Sequence, residues 1–358
     1  MRVLMVHDEP IDGGYGAESY IRRLVDGLRA AGDAVEVVAG QIRHRGVGRC
    51  LDLWDPAARR LINDHATRFG PDVVHFHNIA RELSGSVLSA ARGVPKVMTV
   101  HDFRLIGGLE HHEFTPRGIS ERMSAAVVRR TAVRRLAATM GVSEPVSEAL
   151  RAADFPAVAT VRVPAQAPAT PPKAVTECHD VAVVARLAPD KGVDVAIEGF
   201  EIAAVGKSRL LIAGDGPSRA ELERRAAPLG DRVRFLGHLD ATGVSDLLGR
   251  VRVVVVASQP SRRPEGSSLA MVEAAMHGRP VVATDDPAVL DVAASLGCVV
   301  NVPAADAGAI GTQLTTLLLD DRAAAELSRH GQANAERLHS VAAVTAAARE
   351  VYRRAIGR

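Results

Sequence analysis

The chain has 358 residues, a formal net charge of +2, 47% hydrophobic residues and 24% charged residues. This length exceeds the roughly 250–300 residues that one hydrophobic core can serve, so we expect two domains. Aromatic residues make up only 3%, too few for the stacking surfaces that bind single-stranded nucleic acid, so we expect no nucleic-acid partner.

Cysteine usage and hydropathy predict a cytoplasmic protein. Cys50, Cys178 and Cys298 lie far apart and form no Cys-x-x-Cys pair, which is typical of reduced thiols rather than of disulfides or a zinc site. The first residues, MRVLMVHDEP, lack the long apolar core of a signal peptide. No run of about 18 apolar residues occurs, so we expect no transmembrane helix.

The first half of the chain alternates short apolar runs with stretches of helical spacing. Predicted strands, each rich in Val and apolar on both faces, occupy 2–6, 34–40, 72–77, 96–101 and 138–143. Ile21, Leu24, Val25 and Leu28 recur at helical spacing between the first two strands. Strands of this kind, separated by helices, indicate a parallel sheet that is covered on both sides.

A proline-rich stretch at 161–174 cannot be a helix or a central strand, so we interpret it as an interdomain linker. The strand pattern then restarts, with predicted strands at 180–186, 209–214, 232–237, 251–258, 280–284 and 298–302. The tail from about 322 to 356 is helical. We therefore predict an α/β protein with two doubly wound domains, 1–165 and 166–340, and a helix at 341–358 that packs back on the first domain.

The segment 264–280, PEGSSLAMVEAAMHGRP, predicts a helix that begins near Leu269. We expect Ser267 or Ser268 to cap the start of this helix. The first-turn amides of a helix are unpaired and lie at the positive end of its dipole, which suits a phosphate. Gly266 would let the backbone approach such a ligand closely.

Two glutamates of this segment, Glu265 and Glu273, are eight positions apart. Eight helical positions span about 12 Å, close to the length of a diphosphate that carries a sugar at one end and a ribose at the other. One carboxylate would then accept hydroxyls of a transferred sugar, and the other those of the ribose. The spacing supports equally well two surface glutamates of an ordinary helix.

Arg186 and Lys191 lie on one loop, ARLAPDKG, directly after the predicted strand 180–186. Two cations on such a loop suit a diphosphate leaving group, whose negative charge grows as a glycosidic bond breaks. A surface turn that happens to carry an arginine and a lysine is the alternative.

The stretch EGSSLAMVEAAMHGRPV (265–281) resembles the E-x7-E signature, close to EGFGLxxLEAMAxGxPV, of the retaining GT-B glycosyltransferase family 4, also called glycosyl transferases group 1. This resemblance implies a hexosyltransferase-type enzyme with two Rossmann-like domains that face each other across a cleft. It places Glu265 on the donor sugar and Glu273 on the ribose. Ser267 and Ser268 replace an aromatic or small residue and a glycine of the family pattern, while the backbone donors from Gly266 to Leu269 are retained.

Other segments extend the resemblance. ARLAPDKG is similar to the family's G-R-x-x-x-x-K-G stretch, whose cations bind the diphosphate, with Ala185 in place of its glycine. The loops GDGP (214–217) and FLGHL (235–239) correspond to those that border the nucleoside. The residues carried over from these two loops are Gly214, His238 and Leu239. The family's P-N-G-V-[DN] turn is replaced by VPAQAPAT, a change expected on the acceptor side.

The glycine-rich loop IDGGYGAES (11–19) is not the dinucleotide fingerprint G-x-G-x-x-G, which argues against a nicotinamide cofactor. It resembles the family's first loop, which faces the donor phosphate and the acceptor. The implied residues are Gly14 and Gly16 on the donor and Gly13 and Tyr15 on the acceptor side.

His101 follows the predicted strand 96–101 in the sequence TVHD. A lone histidine at a strand end is ordinarily structural, but the resemblance implies that His101 reaches the donor sugar and that Asp102 faces the acceptor. Two more histidines in HFHN (75–78) have no third ligand at metal spacing, so we expect no metal site.

Arginines are concentrated between 117 and 135, where Glu121 is the one acidic residue. They are Arg117, Arg122, Arg129, Arg130, Arg134 and Arg135. On a helix they would contact an anionic membrane or receive an anionic acceptor, and a solvated basic face is equally compatible. His111 and His112 precede them, and we assign both to the acceptor side.

These observations predict a retaining glycosyltransferase that moves a sugar from a nucleotide diphosphate, with a UDP-sugar favoured, to an acceptor hydroxyl. The expected catalytic residues are His101, Glu265, Arg186 and Lys191, and no cofactor or metal is expected. The acceptor would be a small molecule or lipid-linked, and the Ala, Arg and Val bias suggests a bacterial origin. A sugar-nucleotide epimerase of the same fold and a non-catalytic sugar-nucleotide-binding protein are the alternatives.

Overall fold

The computed structural model describes residues 1–11, 16–40, 54–80, 83–107, 116–203, 205–261 and 264–357. The chain divides into two compact units. One comprises Met1–Val163 together with Val341–Arg358, and the other comprises Pro164–Ser340. Each unit contains a six-stranded sheet whose strands are all parallel, as their pairing shows.

In the first unit the strand order is β2-β1-β3-β4-β5-β6. The strands are β1 (Arg2–His7), β2 (Ala34–Ala39), β3 (Val73–Phe76), β4 (Lys96–Val100), β5 (Ala138–Gly141) and β6 (Val158–Thr160). The helices are α1 (Gly16–Ala30), α2 (Pro56–Phe69), α3 (Pro116–Arg135) and α4 (Glu144–Ala152). The predicted strands are found within two residues at each end. β6 was not predicted because it is short and partly exposed, without a Val-rich run.

In the second unit the order is β12-β11-β10-β7-β8-β9. The strands are β7 (Val181–Val184), β8 (Leu210–Ala213), β9 (Val233–Gly237), β10 (Val253–Val256), β11 (Val281–Thr284) and β12 (Val299–Val302). The helices are α5 (Val193–Ala203), α6 (Arg219–Ala226), α7 (Ala241–Leu248), α8 (Leu269–Met276), α9 (Pro287–Leu296), α10 (Ala307–Leu319) and α11 (Asp321–His339). Each predicted strand of this half is present.

In both sheets, strands are added first on one side of the first strand and then on its other side. β1 lies between β2 and β3, and β7 lies between β8 and β10. Ligands of doubly wound sheets bind at such switch points, beyond the carboxyl ends of the strands. The loops that follow β1, β3, β7 and β10 are therefore where each unit is expected to carry its site.

Close helix packing covers one face of the second sheet. Phe200 of α5 and Ile310 and Leu314 of α10 are buried in the same apolar cluster. The helices approach through glycines: a Cβ added to Gly199 would lie 2.6 Å from the Ile310 Cγ2. A methyl group has no room there, so the glycine sets the helix separation.

The helical tail consists of α11 and a last helix, α12 (Val341–Ile356), separated at Ser340. α12 belongs to the first unit. A Cβ on Gly27 of α1 would lie 2.1 Å from the Thr345 Oγ1, and the buried Tyr352 hydroxyl lies 2.7 Å from the His75 Nδ1. Within the second unit, Ala165 of the proline-rich stretch forms a parallel bridge with Ser340.

Among the helices in the described ranges, none has both the length and the apolar character needed to span a bilayer.

Candidate functional site

Five neighbouring strands of the second unit end at one edge of the sheet, because parallel strands share the direction of their carboxyl ends. The loops that follow them carry Arg186 after β7, Gly214 after β8, His238 after β9, Glu265 after β10 and Asp286 after β11. All but Asp286 were predicted as site residues. The topology thus gathers on one edge residues that are far apart in sequence.

Lys191 and Glu265 meet at the switch point between β7 and β10. The Lys191 Nζ donates to the Glu265 Oε1, which also accepts a hydrogen bond of 2.7 Å from the Ser258 hydroxyl. Both charged side chains are largely but incompletely buried, at 24% and 14% exposure. The basic loop and the acidic segment, predicted from separate motifs, therefore form one ion pair.

Arg186 is more exposed, at 40%, and its Nη2 donates to the Asp190 Oδ1 at 3.1 Å. The other Asp190 oxygen lies 3.9 Å from the Lys191 Nζ. The two cations of the loop therefore share a carboxylate that sequence reasoning did not include. The exposed guanidinium still offers donors in the planar geometry that fits a phosphate.

The start of α8 is not capped as predicted. Ser268 occupies the N-cap position without a side-chain capping hydrogen bond, and the buried Ser267 hydroxyl has no hydrogen-bond partner among the described residues. The capping prediction was wrong because neither hydroxyl is directed at the first-turn amides. Those amides, which no helix satisfies internally, and the Ser267 hydroxyl remain able to bind an anion.

Glu273 lies on α8, after Leu269 begins that helix, and is partly buried. The segment from Glu265 to Ser268, which includes the buried Gly266, is not helical. The estimate of about 12 Å between Glu265 and Glu273 assumed that all eight positions are helical. This assumption was wrong, because the helix begins only at Leu269.

The loops after β7, β8 and β9 touch through backbone atoms. Gly214 has a φ of 139°, and a Cβ there would lie 1.8 Å from the Ala185 carbonyl oxygen. The Gly214 amide donates to the Gly237 carbonyl at 2.7 Å. His238 is exposed and Leu239 is partly buried beside this contact.

Asp286 holds the acidic segment in place. Its Oδ2 accepts the Glu265 amide at 3.0 Å, and its Oδ1 accepts the Ala288 amide at 2.9 Å as the N-cap of α9. Burial raises the pKa of this carboxyl, and its backbone donors oppose that change. The sequence signal for the cap, an aspartate directly before Pro287, was present but was not used.

In the first unit, His7, His77 and His101 lie close together at the carboxyl ends of β1, β3 and β4. The His77 Nδ1 and the His101 Nε2 are 3.0 Å apart, and their rings stack with centroids 5.3 Å apart. The Tyr20 ring meets His101 edge-on, with centroids 4.9 Å apart. The His7 Nε2 lies 3.4 Å from the Glu18 Oε1.

His7, Glu18 and Tyr20 were not predicted. A signal for His7 existed, because the sequence Val-His-Asp stands at the carboxyl end of both β1 and β4. The positions of Glu18 and Tyr20 depend on how α1 packs, which the local sequence does not specify.

The imidazoles of His75, His77 and His101 are neutral at neutral pH. Burial lowers the pKa of His101 to about 4, and charge on His7 adds to that effect. Burial also lowers the pKa of His75 to about 3 and holds the pKa of His77 well below its ordinary value.

Hydrogen bonding then fixes the tautomer of His101. The His77 Nε2 lies 2.9 Å from the Met5 sulfur, which can only accept, so this nitrogen carries the proton. The His77 Nδ1 is then an acceptor, and the His101 Nε2 donates to it. The His101 Nδ1 consequently presents a lone pair.

Asp102 caps the turn Phe103–Ile106 and forms an ion pair of 2.7 Å with Arg104. Gly16 begins α1, and a Cβ there would meet no heavy atom within 4 Å. The remaining predicted acceptor-side or donor residues, Gly13, Gly14, Tyr15, His111 and His112, lie outside the described residues.

Within the described ranges, no three His, Cys, Asp or Glu side chains are grouped so that they could hold a metal ion. Metal independence of the reaction stays a prediction.

Two family models match the two halves of the chain. Residues 14–164 match Glycosyltransferase Family 4, and residues 178–320 match Glycosyl transferases group 1. The chain belongs to glycosyltransferase family 4. The predicted family and enzyme class are therefore confirmed.

The curated relatives of this glycosyltransferase include sugar transferases. It is 29% identical to a phosphatidyl-myo-inositol mannosyltransferase of Mycolicibacterium smegmatis, over 90% of this chain and 86% of that protein. It is also 29% identical to the α-D-kanosaminyltransferase of Streptomyces kanamyceticus, over 56% of this chain and 55% of that protein, about half its length.

Solved structures confirm the GT-B fold. Sucrose-phosphate synthase of Thermosynechococcus elongatus aligns with a TM-score of 0.79 at 19% identity, over 99% of this chain and 98% of the other. Anabaena HepE, solved with UDP and glucose, aligns with a TM-score of 0.72 at 17% identity, over 98% of each chain.

Proposed function

We propose that this glycosyltransferase moves a sugar from a nucleotide diphosphate to an acceptor hydroxyl, with retention at the anomeric carbon and without a bound metal. The observation that carries the proposal is the meeting of Lys191, Glu265 and the uncapped start of α8 at the β7/β10 switch point. A cation, a carboxylate and the first-turn amides of a helix are the groups that one donor diphosphate and its sugar require.

The donor diphosphate lies between the cations Arg186 and Lys191 and the amides from Gly266 to Leu269, with the Ser267 hydroxyl as a further donor. Glu265 accepts hydroxyls of the sugar, and Glu273 accepts those of the ribose. The base is bordered by Gly214, His238 and Leu239. A contact of the first loop, with Gly14 and Gly16, with the phosphate stays a prediction from the sequence.

In the reaction, the bond between the anomeric carbon and the phosphate oxygen breaks, and its electron pair stays on that oxygen. The guanidinium and ammonium groups and the α8 amides stabilise the developing charge. The acceptor oxygen bonds to the anomeric carbon from the same face, and its proton passes to the leaving phosphate. The bare His101 Nδ1 accepts a hydrogen bond from a sugar hydroxyl.

For the donor, we favour a UDP-sugar and consider GDP-mannose second. A relative from Corynebacterium glutamicum, 30% identical over 44% of this chain and 42% of that protein, is named as GDP-mannose-dependent. For the acceptor, the phosphatidylinositol named among the relatives supports a lipid-linked hydroxyl. Such an acceptor would bring the enzyme into peripheral contact with an anionic membrane, while a small soluble acceptor is the alternative. We propose a cytoplasmic location.

Calorimetric titration with UDP and GDP tests the donor site. Glu273→Gln should weaken binding of the preferred nucleotide about tenfold, because a carboxylate that accepts ribose hydroxyls is lost. Glu221→Gln, on the exposed side of α6, is the matched control. Equal affinities of wild type and Glu273→Gln would contradict the ribose assignment.

Turnover separates the alternatives. A donor that changes its sugar configuration without any acceptor would show an epimerase, and tight donor binding without turnover on any acceptor would show a binding protein.

A further inference from the structure

A buried histidine, His277, joins the end of α8 to α7. It occupies the C-cap position of α8 and is only 5% exposed. Its Nδ1 lies 2.8 Å from the Glu273 carbonyl oxygen, and its Nε2 lies 2.9 Å from the hydroxyl oxygen of Ser245 in α7. The imidazole therefore contacts the backbone of the residue that we place on the ribose.

These two contacts fix the proton on the imidazole ring. A carbonyl oxygen can only accept, so the His277 Nδ1 carries the proton and donates to the Glu273 carbonyl. The Nε2 of the neutral ring then has a lone pair, which accepts a hydrogen bond from the Ser245 hydroxyl. Each ring nitrogen is thus bonded to a different helix.

The end of α8 does not need this side chain as a cap. The His277 amide already donates to the Glu273 carbonyl at 3.1 Å, and the Gly278 amide donates to the Ala275 carbonyl at 2.9 Å. Gly278 has a φ of 65°, the left-handed conformation that commonly ends a helix. Backbone groups therefore close the helix, and the imidazole adds a further bond to the Glu273 carbonyl.

The position of the Glu273 carboxylate depends on its backbone. Every residue of the described segment 271–280 is buried except Glu273, which is partly exposed. In a helix the Cα–Cβ bond tilts toward the amino terminus, so this side chain leans toward the start of α8, where the amides of 266–269 lie. A shift of the Glu273 backbone would move the carboxylate relative to the donor.

α7 connects the histidine to the loop that borders the base. Asp240, the N-cap of α7, directly follows Leu239. Leu239 and Val244 pack against the apolar cluster that contains Val272 of α8. The position of Ser245 is therefore tied to the base-bordering loop through the helix and through the apolar cluster.

We infer that His277 is a positioning residue: held by Ser245, it fixes the backbone of Glu273 so that the carboxylate meets the ribose of a donor whose base lies at the loop before α7. This inference rests on the proposed function, because it names residues that act through Glu273 on the nucleoside. Loss of the contact weakens binding of the nucleoside and not of the diphosphate, whose cations and α8 amides stay in place.

Ser245→Ala removes the hydroxyl and leaves His277 and Glu273 unchanged. Calorimetric titration of the intact protein with UDP, or with GDP if wild type binds it more tightly, should show about three- to tenfold lower affinity, as expected when one neutral hydrogen bond is lost. The affinity for inorganic pyrophosphate, which has no ribose, should be unchanged. Ser245→Ala/Glu273→Gln should bind the nucleotide as Glu273→Gln does, because the effect acts through that carboxylate.

A second serine–histidine contact in the same unit supplies the matched control. The Ser295 hydroxyl of α9 lies 3.3 Å from the Nε2 of the buried His339. Ser295→Ala should lower the free energy of unfolding in urea about as much as Ser245→Ala does, but should leave nucleotide affinity unchanged. Equal nucleotide affinities of the two serine variants would overturn the inference. An equal loss of affinity for nucleotide and pyrophosphate in Ser245→Ala would overturn it as well.

Substitutions of His277 separate its two bonds. His277→Phe keeps a ring without either bond and should weaken nucleotide binding more than Ser245→Ala does. His277→Asn, whose amide nitrogen can still donate to the Glu273 carbonyl, should recover part of the affinity, and the serine variants keep the test valid if His277→Phe does not fold. If Glu273→Gln binds nucleotide like wild type, the ribose assignment of the proposed function fails. If Glu273→Gln binds weakly and Ser245→Ala binds like wild type, only the role of His277 fails.

Discussion

At the scale of single residues, the candidate site depends on partners that polarise or orient the groups named from motifs. Lys191 is held by Glu265, and Glu265 is held by Ser258 and Asp286. These contacts keep a cation and a carboxylate together. A donor diphosphate would compete with Glu265 for the ammonium and release the carboxylate toward the sugar.

Lys191→Gln should weaken nucleoside diphosphate binding about tenfold or more, because a charged hydrogen bond to phosphate is worth roughly 1.5–3 kcal/mol. Calorimetry with UDP and GDP measures the change. Lys207→Gln, an exposed lysine in a turn of the same unit, serves as the matched control. If Lys191→Gln binds each nucleotide with the same affinity as Lys207→Gln does, Lys191 does not contact the diphosphate.

The His77–His101 contact gives a second test at this scale. His77→Phe removes the acceptor for the His101 Nε2 proton, so the imidazole loses its fixed tautomer, and we expect kcat to fall on the order of tenfold with donor KM nearly unchanged. His77→Gln, whose amide oxygen can accept that proton, should recover part of the rate. Nitrogen NMR shifts should show the His101 Nδ1 unprotonated in the wild type. A protonated Nδ1 would refute the tautomer.

At the scale of helices and strands, the Val-rich runs were enough to predict both sheets, because buried parallel strands are apolar on both faces. They were not enough for β6, whose three residues are only partly buried. The E-x7-E segment and the basic loop could be found by spacing. Asp190 and Glu18 could not, since each contributes through a contact that exists only after the chain has folded. Asp286 and His7 had sequence signals, but the contacts with Glu265 and Glu18 that give them their roles also form only on folding.

The α5–α10 contact permits a paired test of packing. Gly199→Ala places a methyl 2.6 Å from the Ile310 side chain and should destabilise the second unit by about 1–3 kcal/mol. Gly308→Ala, at the start of α10, meets nothing closer than 3.4 Å and should be neutral or stabilising by up to about 1 kcal/mol. Urea unfolding measures both changes. Equal stabilities of the two variants would contradict the tight contact.

At the scale of the whole molecule, stability should depend on pH through the buried histidines. The pKa of His75 falls from 6.5 to about 3, and that of His101 to about 4. Between those values and 6.5 the unfolded chain binds more protons than the folded chain. The contribution of these histidines to stability is therefore constant above about pH 6.5 and decreases as the pH falls below it, by about 1.4 kcal/mol per pH unit for each such histidine.

Thermal unfolding between pH 7.5 and pH 4.5 checks this dependence. These values lie about one unit or more on either side of the ordinary histidine pKa. His75→Gln should flatten the acid slope, although it also removes the hydrogen bond to Tyr352 and lowers stability throughout. A slope that is the same in wild type and His75→Gln would show that His75 does not titrate as inferred.

The chain order has a consequence for biosynthesis. The second unit is one uninterrupted segment, Pro164–Ser340, inserted between β6 and α12 of the first unit. Because α12 fills the space against Gly27 and His75, α12 must emerge from the ribosome before the first unit can close its core. The inserted unit is complete earlier, so we expect it to fold first on the nascent chain, and a stop codon just before Val341 to leave the amino-terminal unit unfinished.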